Sequence, residues 1–147
     1  MNDYNRDSLY HIFAEIIKLH FARSHNLLEK LGIYPGQPPL LFALYCKDGQ
    51  SQRELAEKLI IRPATMTVML KRMEKSELII RKQDDKDQRI LRVYLTKKGR
   101  ETCEKLKSTM KVLTEECFCN LTEDEKILLR RLLMQIRDNL IKANKRN

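Results

Sequence analysis

The chain has 147 residues, of which 42% are hydrophobic and 33% are charged, and its formal net charge is +9. No apolar run approaches the roughly eighteen residues that span a bilayer, which excludes a transmembrane protein, and charged residues interrupt any leader-like stretch at the start. We therefore expect a cytoplasmic protein whose residues 1–147 form a single domain.

Positive charge is concentrated in the middle third of the chain. Residues 51–100 carry fourteen basic and seven acidic side chains, an excess of +7, whereas residues 1–50 carry five of each. Such an excess can neutralise phosphates and release their counterions, which is the sequence-independent part of nucleic-acid affinity. A merely solvated surface is the alternative at this point.

The cysteines are typical of reduced thiols. They form no C-x-x-C pair, and without a secretory context neither a disulfide framework nor a zinc site is favoured. Only four glycines and four prolines, together with many Leu, Lys, Glu and Arg, favour a mainly helical fold. The cysteines are Cys46, Cys103, Cys117 and Cys119.

Residues 7–31 are predicted to form one long amphipathic helix, because apolar residues recur there at steps of three and four. Two polar residues, His20 and Ser24, lie on the same stripe between Ile16 and Leu27. Two glycines and three prolines within residues 32–39 then end the helix and predict a hinge.

Residues 40–75 are predicted to form three short helices, and the last two of these form a helix-turn-helix. An apolar helix over 40–46 is followed by a glycine-containing turn. Ser51 and Glu54 have the spacing of a capping box, which predicts a helix over 52–59. Pro63 suits the first turn of the next helix, over 64–75, whose methionines and Leu70 share one face. Two short helices separated by a few residues are typical of a helix-turn-helix.

After this helix, apolar residues recur at every second position, which is the spacing of a β-strand. Residues 79–83 are β-prone, residues 84–87 form a polar turn, and Leu91, Val93 and Leu95 alternate with a second set of side chains. These features predict a β-hairpin. A hairpin directly after a helix-turn-helix is the outline of a winged helix, with the hairpin as its wing.

The chain returns to helix from about residue 99. Cys103, Leu106, Met110, Leu113 and Cys117 form a narrow seam of the kind that packs against another helix. A second capping-box pattern begins a last helix, which runs to about residue 142 and is apolar on much of its circumference. We expect residues 1–34 and 100–147 to be dimerisation helices, with burial inside the monomer as the alternative.

No enzyme signature is recognisable in the sequence. It lacks a Gly-rich phosphate loop, an H-E-x-x-H pair and a G-x-S-x-G elbow, so we expect no enzymatic activity and no cofactor. The histidines His11, His20 and His25 are spaced nine and five apart, which is too loose to predict a metal site.

The second helix of the helix-turn-helix has an outer face opposite its methionines. This face is the candidate for reading bases in a major groove. Small side chains there let the backbone approach DNA, and Val68 or a threonine methyl can meet a thymine methyl. Polar and basic side chains near the two helix starts are placed for phosphate contacts. The base-facing candidates are Ala64, Thr67, Val68 and Lys71, and the phosphate candidates are Ser51, Gln52, Arg53, Arg62 and Thr65.

Arg89 is the candidate for the minor groove, where the negative potential is deepest in narrow A·T-rich stretches. Asp87, two residues earlier, is predicted to hold the guanidinium of Arg89 by paired hydrogen bonds and keep the side chain extended. A local salt bridge in an ordinary hairpin is the alternative.

Residues 32–99 resemble the winged-helix core of the multiple-antibiotic-resistance regulator (MarR) family of bacterial transcription factors. Three sets of residues carry the resemblance, and the aspartate-x-arginine wing with the strand and helix start after it is the most specific. The sets are Gln52-Arg53-Glu54-Leu55-Ala56, Thr65-Met66-Thr67 with Leu70-Lys71-Arg72-Met73-Glu74, and Asp87-Gln88-Arg89 with Val93-Tyr94-Leu95-Thr96 and Gly99.

The resemblance implies a homodimer that binds double-stranded DNA at a palindromic promoter site, usually as a repressor released by a small-molecule effector or by thiol oxidation. Residues 35–99 then correspond to the DNA-binding core. The resemblance also makes His20 and Ser24 candidates for an effector pocket, with a hydrogen-bonded histidine at the dimer interface as the alternative for His20. Cys119 is the least confined thiol and the first candidate for oxidation. Two residues depart from the family pattern. Glu77 replaces a common glycine, which predicts strain at a helix end, and Val68 replaces a frequent arginine.

A different function is a winged-helix interaction module whose basic face binds an acidic protein. In that case the arginine of the wing would have no groove to fill.

Overall fold

The computed structural model describes residues 7–145, which form six helices and a small antiparallel sheet. No helix in this described range is both long and apolar enough to cross a bilayer. The chain separates into two compact units, Met1–Lys111 and Val112–Asn147, and the boundary lies within the fifth helix. The elements are α1 (Leu9–Glu29), α2 (Gln37–Cys46), β1 (Gln50–Ser51), α3 (Gln52–Leu59), α4 (Pro63–Lys75), β2 (Ile79–Gln83), β3 (Leu91–Leu95), α5 (Lys97–Phe118) and α6 (Glu123–Asn144).

The predicted mainly helical winged helix is confirmed, but α2 begins earlier than predicted. It starts at Gln37 and not at residue 40, because Pro38 and Pro39 lie in its first turn, where a helix needs no donor. Gly36 precedes the helix with a φ of 96°, and the side chain of Gln37 accepts a hydrogen bond from the backbone N–H of Tyr34. The predicted hinge therefore ends at Gly36.

The predicted capping box at the start of α3 is confirmed. The Ser51 hydroxyl accepts from the N–H of Glu54 at 3.1 Å, and the Glu54 carboxylate accepts from the N–H of Ser51 at 2.7 Å. This second bond is the main reason why the pKa of Glu54 lies below its usual value. Local chemistry thus determines where the first helix of the helix-turn-helix begins.

The sheet has three strands in the described part of the chain, in the order β1-β3-β2, and the sequence predicted only two of them. The missed strand, β1, pairs with β3 so that Gln50 lies opposite Val93. The buried side chain of Gln50 donates to the carbonyls of Ala43 at 2.9 Å and Lys47 at 2.6 Å, which satisfies the last turn of α2. β1 therefore joins the wing to the helix before it.

The core of the first unit lies between α2, α3, α4, the sheet and the first part of α5. The predicted apolar face of α4 is confirmed at Met66, Leu70 and Met73, none of which is exposed to solvent. These buried positions hold the opposite face of α4 at the surface. The other fully or almost fully buried side chains of this core are Leu28, Ile33, Leu40, Leu41, Leu44, Leu55, Leu78, Ile79, Val93, Cys103 and Leu106.

α4 ends in a left-handed residue, as the departure from glycine predicted. Glu77 has a φ of 61°. The N–H of Leu78 donates to the carbonyl of Met73 at 3.0 Å, and the N–H of Glu77 donates to the carbonyl of Glu74 at 2.9 Å. This pair of bonds is a Schellman motif, whose left-handed position favours glycine. A side chain at that position carries a conformational cost.

We expect Glu77→Gly to raise the free energy of unfolding by about 1 kcal/mol, because glycine adopts a positive φ without this cost. Urea denaturation followed by circular dichroism measures the change. Ser76→Gly is the matched control: the φ of Ser76 is −84°, so glycine there brings no relief and should destabilise the protein. Equal effects of the two substitutions would contradict the strain at Glu77.

The second unit contains the end of α5 and all of α6. The predicted capping box at its helix start is confirmed, since Thr122 and Glu125 exchange hydrogen bonds at 3.3 and 2.8 Å. α6 has no buried residue. On the predicted seam of α5, Leu113 is buried, whereas Cys117 is exposed in this chain. The large exposed apolar side chains of α6 are Ile127, Leu128, Leu132, Leu133, Met134 and Leu140.

Candidate nucleic-acid interface

The face of α4 opposite the core presents most of the predicted DNA-contacting side chains to solvent. Val68 is 51% exposed, and Lys71 is exposed one turn later. Arg62 precedes the helix with extended backbone and places its exposed side chain at the N-terminus. Ala64 and Thr65 in the first turn are also exposed. A helix that offers short side chains and flanking cations is well suited to enter a major groove.

Thr67 differs from its neighbours because its hydroxyl is already used. It donates to the carbonyl of Pro63 at 3.0 Å and accepts from the side-chain amide of Gln52 at 2.7 Å. Gln52, predicted as a phosphate contact, therefore ties the start of α3 to α4. Both side chains are half-buried.

Arg53 is the most exposed predicted phosphate contact at the start of α3, with 88% of its side chain accessible. It forms an ion pair with Glu57 one turn later, at 2.9 Å, and this contact raises the pKa of its guanidinium. An exposed pair of this kind contributes little to stability, so the arginine can exchange a carboxylate for a phosphate at low cost. Ser51 is occupied by its capping box.

The turn of the wing is organised by an aspartate that the sequence analysis did not single out. One oxygen of Asp84 accepts from the N–H groups of Lys86 at 2.9 Å and Asp87 at 3.0 Å. Its other oxygen accepts from the Nε of Arg92, and this contact is the main reason why the pKa of Asp84 is about 2. Asp84 and Arg92 lie on opposite sides of the hairpin. Their pairing becomes visible only when the strand register is known.

Arg89 lies at the wing turn with 93% of its side chain exposed. One oxygen of Asp87 accepts both the N–H of Arg89 at 3.0 Å and its Nε at 3.2 Å. The predicted paired hydrogen bonds from the guanidinium are therefore wrong: the guanidinium donates through Nε alone, and the second bond to the same Asp87 oxygen comes from the backbone N–H. Within residues 7–145 the bonds of Arg89 to Asp87 use only its backbone N–H and Nε, which leaves the terminal nitrogens of this exposed side chain open to a ligand.

We expect the Asp84 carboxylate to make the fold sensitive to acid. A carboxyl group whose pKa is lower in the folded state stabilises the fold above its ordinary pKa, and this contribution is lost as the pH falls from about 4 to about 2. Asp84→Asn should lower stability at pH 7 and flatten the loss between pH 4 and 2. Urea denaturation at several pH values measures this, with the exposed Asp85→Asn as control. An unchanged acid profile in Asp84→Asn would contradict it.

The two candidate effector residues differ in their surroundings. Ser24 is buried, with 8% of its surface accessible, whereas His20 is exposed one turn earlier on α1. Among the thiols, Cys103 is fully buried, and burial raises its pKa to about 11, which makes it a poor nucleophile at neutral pH. Cys46, Cys117 and Cys119 are exposed.

Comparison with known proteins identifies this arrangement. The model of the MarR family matches residues 33–91, which contain α2, α3, α4, β2 and the wing turn. A Bacillus subtilis HTH-type transcriptional regulator, YdgJ, is 34% identical over 109 residues, which cover 74% of this chain and 66% of YdgJ. The chain belongs to the MarR family. The helix-turn-helix and wing are thus those of a MarR-type transcriptional regulator, which favours a DNA-binding function over an acidic protein partner.

Two further proteins extend the comparison. The Bacillus subtilis transcriptional repressor MdtR is 31% identical over 98 residues, which cover 67% of this chain and 63% of MdtR. The Staphylococcus aureus MepR structure, solved as a DNA complex, superposes with a TM-score of 0.82 at 24% identity, and the match covers 92% of this chain and 99% of MepR. The second likeness shows that the MarR fold extends beyond the residues of the family match.

Proposed function

We propose that this MarR protein is a homodimeric repressor that binds a palindromic promoter site in double-stranded DNA. The observation that carries the proposal is the exposure, within one winged helix, of both the outer face of α4 and the Arg89 side chain. The charge excess of +7 in residues 51–100 supplies the attraction to phosphates. The repressor named MdtR and the DNA complex of MepR support the same function.

In this proposal α4 enters the major groove and the wing reaches the neighbouring minor groove. The base-facing residues are Ala64, Val68, Lys71 and the methyl of Thr67, whose hydroxyl is occupied. The phosphate contacts come from the starts of α3 and α4, through Ser51, Gln52, Arg53, Arg62 and Thr65. Ser51 and Gln52 each keep a donor for this, because the Ser51 hydroxyl accepts in its capping box and the Gln52 amide uses one N–H on Thr67. Asp87 supports the backbone at Arg89.

The dimer is supported by apolar surface that the chain alone leaves open. α1 exposes Leu9 by 85%, Ile16 by 56% and Phe21 by 60%. α6 likewise exposes six large apolar side chains and buries none. Exposed apolar surface of this extent marks an association site, and the two-fold symmetry of a homodimer matches a palindrome.

Release from DNA is proposed to follow binding of a small molecule or oxidation of a thiol. Ser24 offers a buried hydroxyl one turn before the buried Leu28 on α1, and His20 offers an exposed imidazole on the same stripe. Cys119 is exposed and is the first candidate for oxidation, whereas Cys103 is too deeply buried.

Selection of DNA from a random pool tests the proposed function. We expect the selected sequences to contain two inverted half-sites with centres about one helical turn apart, because two α4 helices must enter successive major grooves on one face of the duplex. Enrichment of no sequence, or of unpaired half-sites only, would contradict a dimeric operator-binding protein.

We expect Lys71→Ala to weaken binding to specific and random DNA alike and to reduce the salt dependence, because the charge of this groove-facing lysine also attracts the phosphates that border the groove. The slope of log K against log salt should become shallower by about 0.9 for each lost phosphate contact. Lys105→Ala, at an exposed lysine of α5, is the matched control and should leave the slope unchanged. Identical slopes for wild type and Lys71→Ala would argue against this role.

A further inference from the structure

Arg92 connects the wing to the helix-turn-helix through one side chain. It lies on the central strand β3, with Ser51 of β1 opposite on one side and Lys82 of β2 on the other. Only 33% of its side chain is exposed. Its polar partners belong to three segments: the wing turn, the turn before β1, and the start of α3.

On the wing side, Arg92 contacts the residue that organises the turn. Its Nε donates to one oxygen of Asp84, while the other oxygen holds the N–H groups of Lys86 and Asp87. Asp87 in turn holds the N–H and the Nε of Arg89. A short chain of contacts therefore leads from Arg92 to the exposed arginine of the wing.

On the helix-turn-helix side, the Nη1 of Arg92 donates to the carbonyl of Gly49 at 3.0 Å. The same nitrogen lies 3.9 Å from a carboxylate oxygen of Glu54, the acid of the capping box at the start of α3. The next residue after Ser51, Gln52, donates to Thr67 of α4. Arg92 is thus linked to the helix that presents the candidate base-reading side chains through Glu54, its capping box with Ser51, and the neighbouring Gln52.

We infer that Arg92 is a positioning residue that holds the wing at a defined place relative to α3 and α4, so that Arg89 and the face of α4 reach their grooves together. The inference rests on the proposed DNA-binding function. A planar guanidinium with donors on several nitrogens can bridge acceptors on different segments, which a side chain with one donor atom cannot do. Without the bridge, binding must order the wing at the same time, and that ordering weakens affinity.

The test compares Arg92→Ala with Arg81→Ala, in which an arginine of the same sheet loses its ion pair with Glu74 of α4. Both proteins are measured at a temperature where circular dichroism shows them folded. We expect Arg92→Ala to bind the selected DNA about tenfold more weakly with an unchanged salt slope, since its cation faces carboxylates of its own chain. Arg81→Ala should lose clearly less. A shallower slope for Arg92→Ala would instead indicate a direct phosphate contact and would overturn the inference, as would equal losses in the two variants.

A double-mutant cycle and a measurement without DNA complete the test. Arg89→Ala should cost less affinity in the Arg92→Ala protein than in the wild type, because without Arg92 the wing no longer places Arg89 well in its groove. In the free protein, amide exchange of Lys86 and Asp87 should accelerate in Arg92→Ala and stay unchanged in Arg81→Ala. Amide exchange can be measured even when the protein binds no DNA. It therefore separates failure of the positioning role of Arg92 from failure of the proposed DNA-binding function. Additive affinity losses or unchanged exchange would overturn the inference.

Discussion

Gly99→Ala should destabilise the protein more than any other single substitution considered, by about 3 kcal/mol. A Cβ atom at this position would lie 2.1 Å from the carbonyl oxygen of Leu78 and 3.2 Å from the side chain of Leu95. The first of these atoms is backbone and cannot move aside as a flexible side chain does. The same carbonyl accepts the N–H of Thr96 at 3.1 Å, so a shift there breaks the junction of β2, β3 and α5.

Thermal and urea denaturation measure this loss, and Gly32→Ala is the matched control. Gly32 has a φ of 67° but no atom within 4 Å of an added Cβ, so its substitution tests backbone strain without a collision. We expect it to cost about 1 kcal/mol. If Gly99→Ala lowers the free energy of unfolding no more than Gly32→Ala does, α5 does not approach the start of β2 as closely as described.

Arg89→Ala should weaken binding to the selected operator at least tenfold. The side chain is 93% exposed, and its terminal nitrogens are open to a ligand. An arginine inserted in a narrow minor groove loses little hydration and meets the strongest negative potential on the duplex. We also expect the preference for A·T-rich sequence beside each half-site to disappear, because that preference arises from the width of the groove.

Fluorescence titration measures both effects of Arg89→Ala, with Arg137→Ala as the matched control. Arg137 is likewise an exposed arginine that donates to a nearby aspartate, Asp138, at 2.8 Å, but it lies in α6 and outside the winged helix. Its substitution should leave affinity within about twofold of wild type, since a surface ion pair contributes little. Wild-type affinity and unchanged sequence preference in Arg89→Ala would show that the wing does not enter the groove.

Local chemistry explains why much of the winged helix could be predicted. Ser51 with Glu54, and Pro63 in a first turn, encode helix starts within four residues of sequence. The hydrophobic spacing of Met66, Leu70 and Met73 likewise identifies the buried face of α4, and therefore its exposed face, without knowledge of the rest of the fold. Such signals need no partner from elsewhere in the chain.

The features that the sequence analysis missed depend on contacts between distant residues. β1 is only two residues long, too short for any period to reveal it, and it forms because β3 offers a pairing edge about forty residues later. Asp84 and Arg92 likewise read as ordinary surface charges until the hairpin register brings them together. The residues that connect the wing to the helix-turn-helix are therefore the ones that cannot be recognised from a single sequence.

A titration of the wild-type protein against the selected palindrome and a scrambled duplex, at 50 to 200 mM salt, tests sequence-specific DNA binding directly. We expect binding to the palindrome to be at least about a thousandfold tighter than to the scrambled duplex. We also expect the affinity for both duplexes to fall steeply with salt, because each protomer neutralises several phosphates. Equal affinities for the two duplexes, or an affinity that salt does not change, would contradict a sequence-reading protein that uses the outer face of α4 and the arginine of the wing.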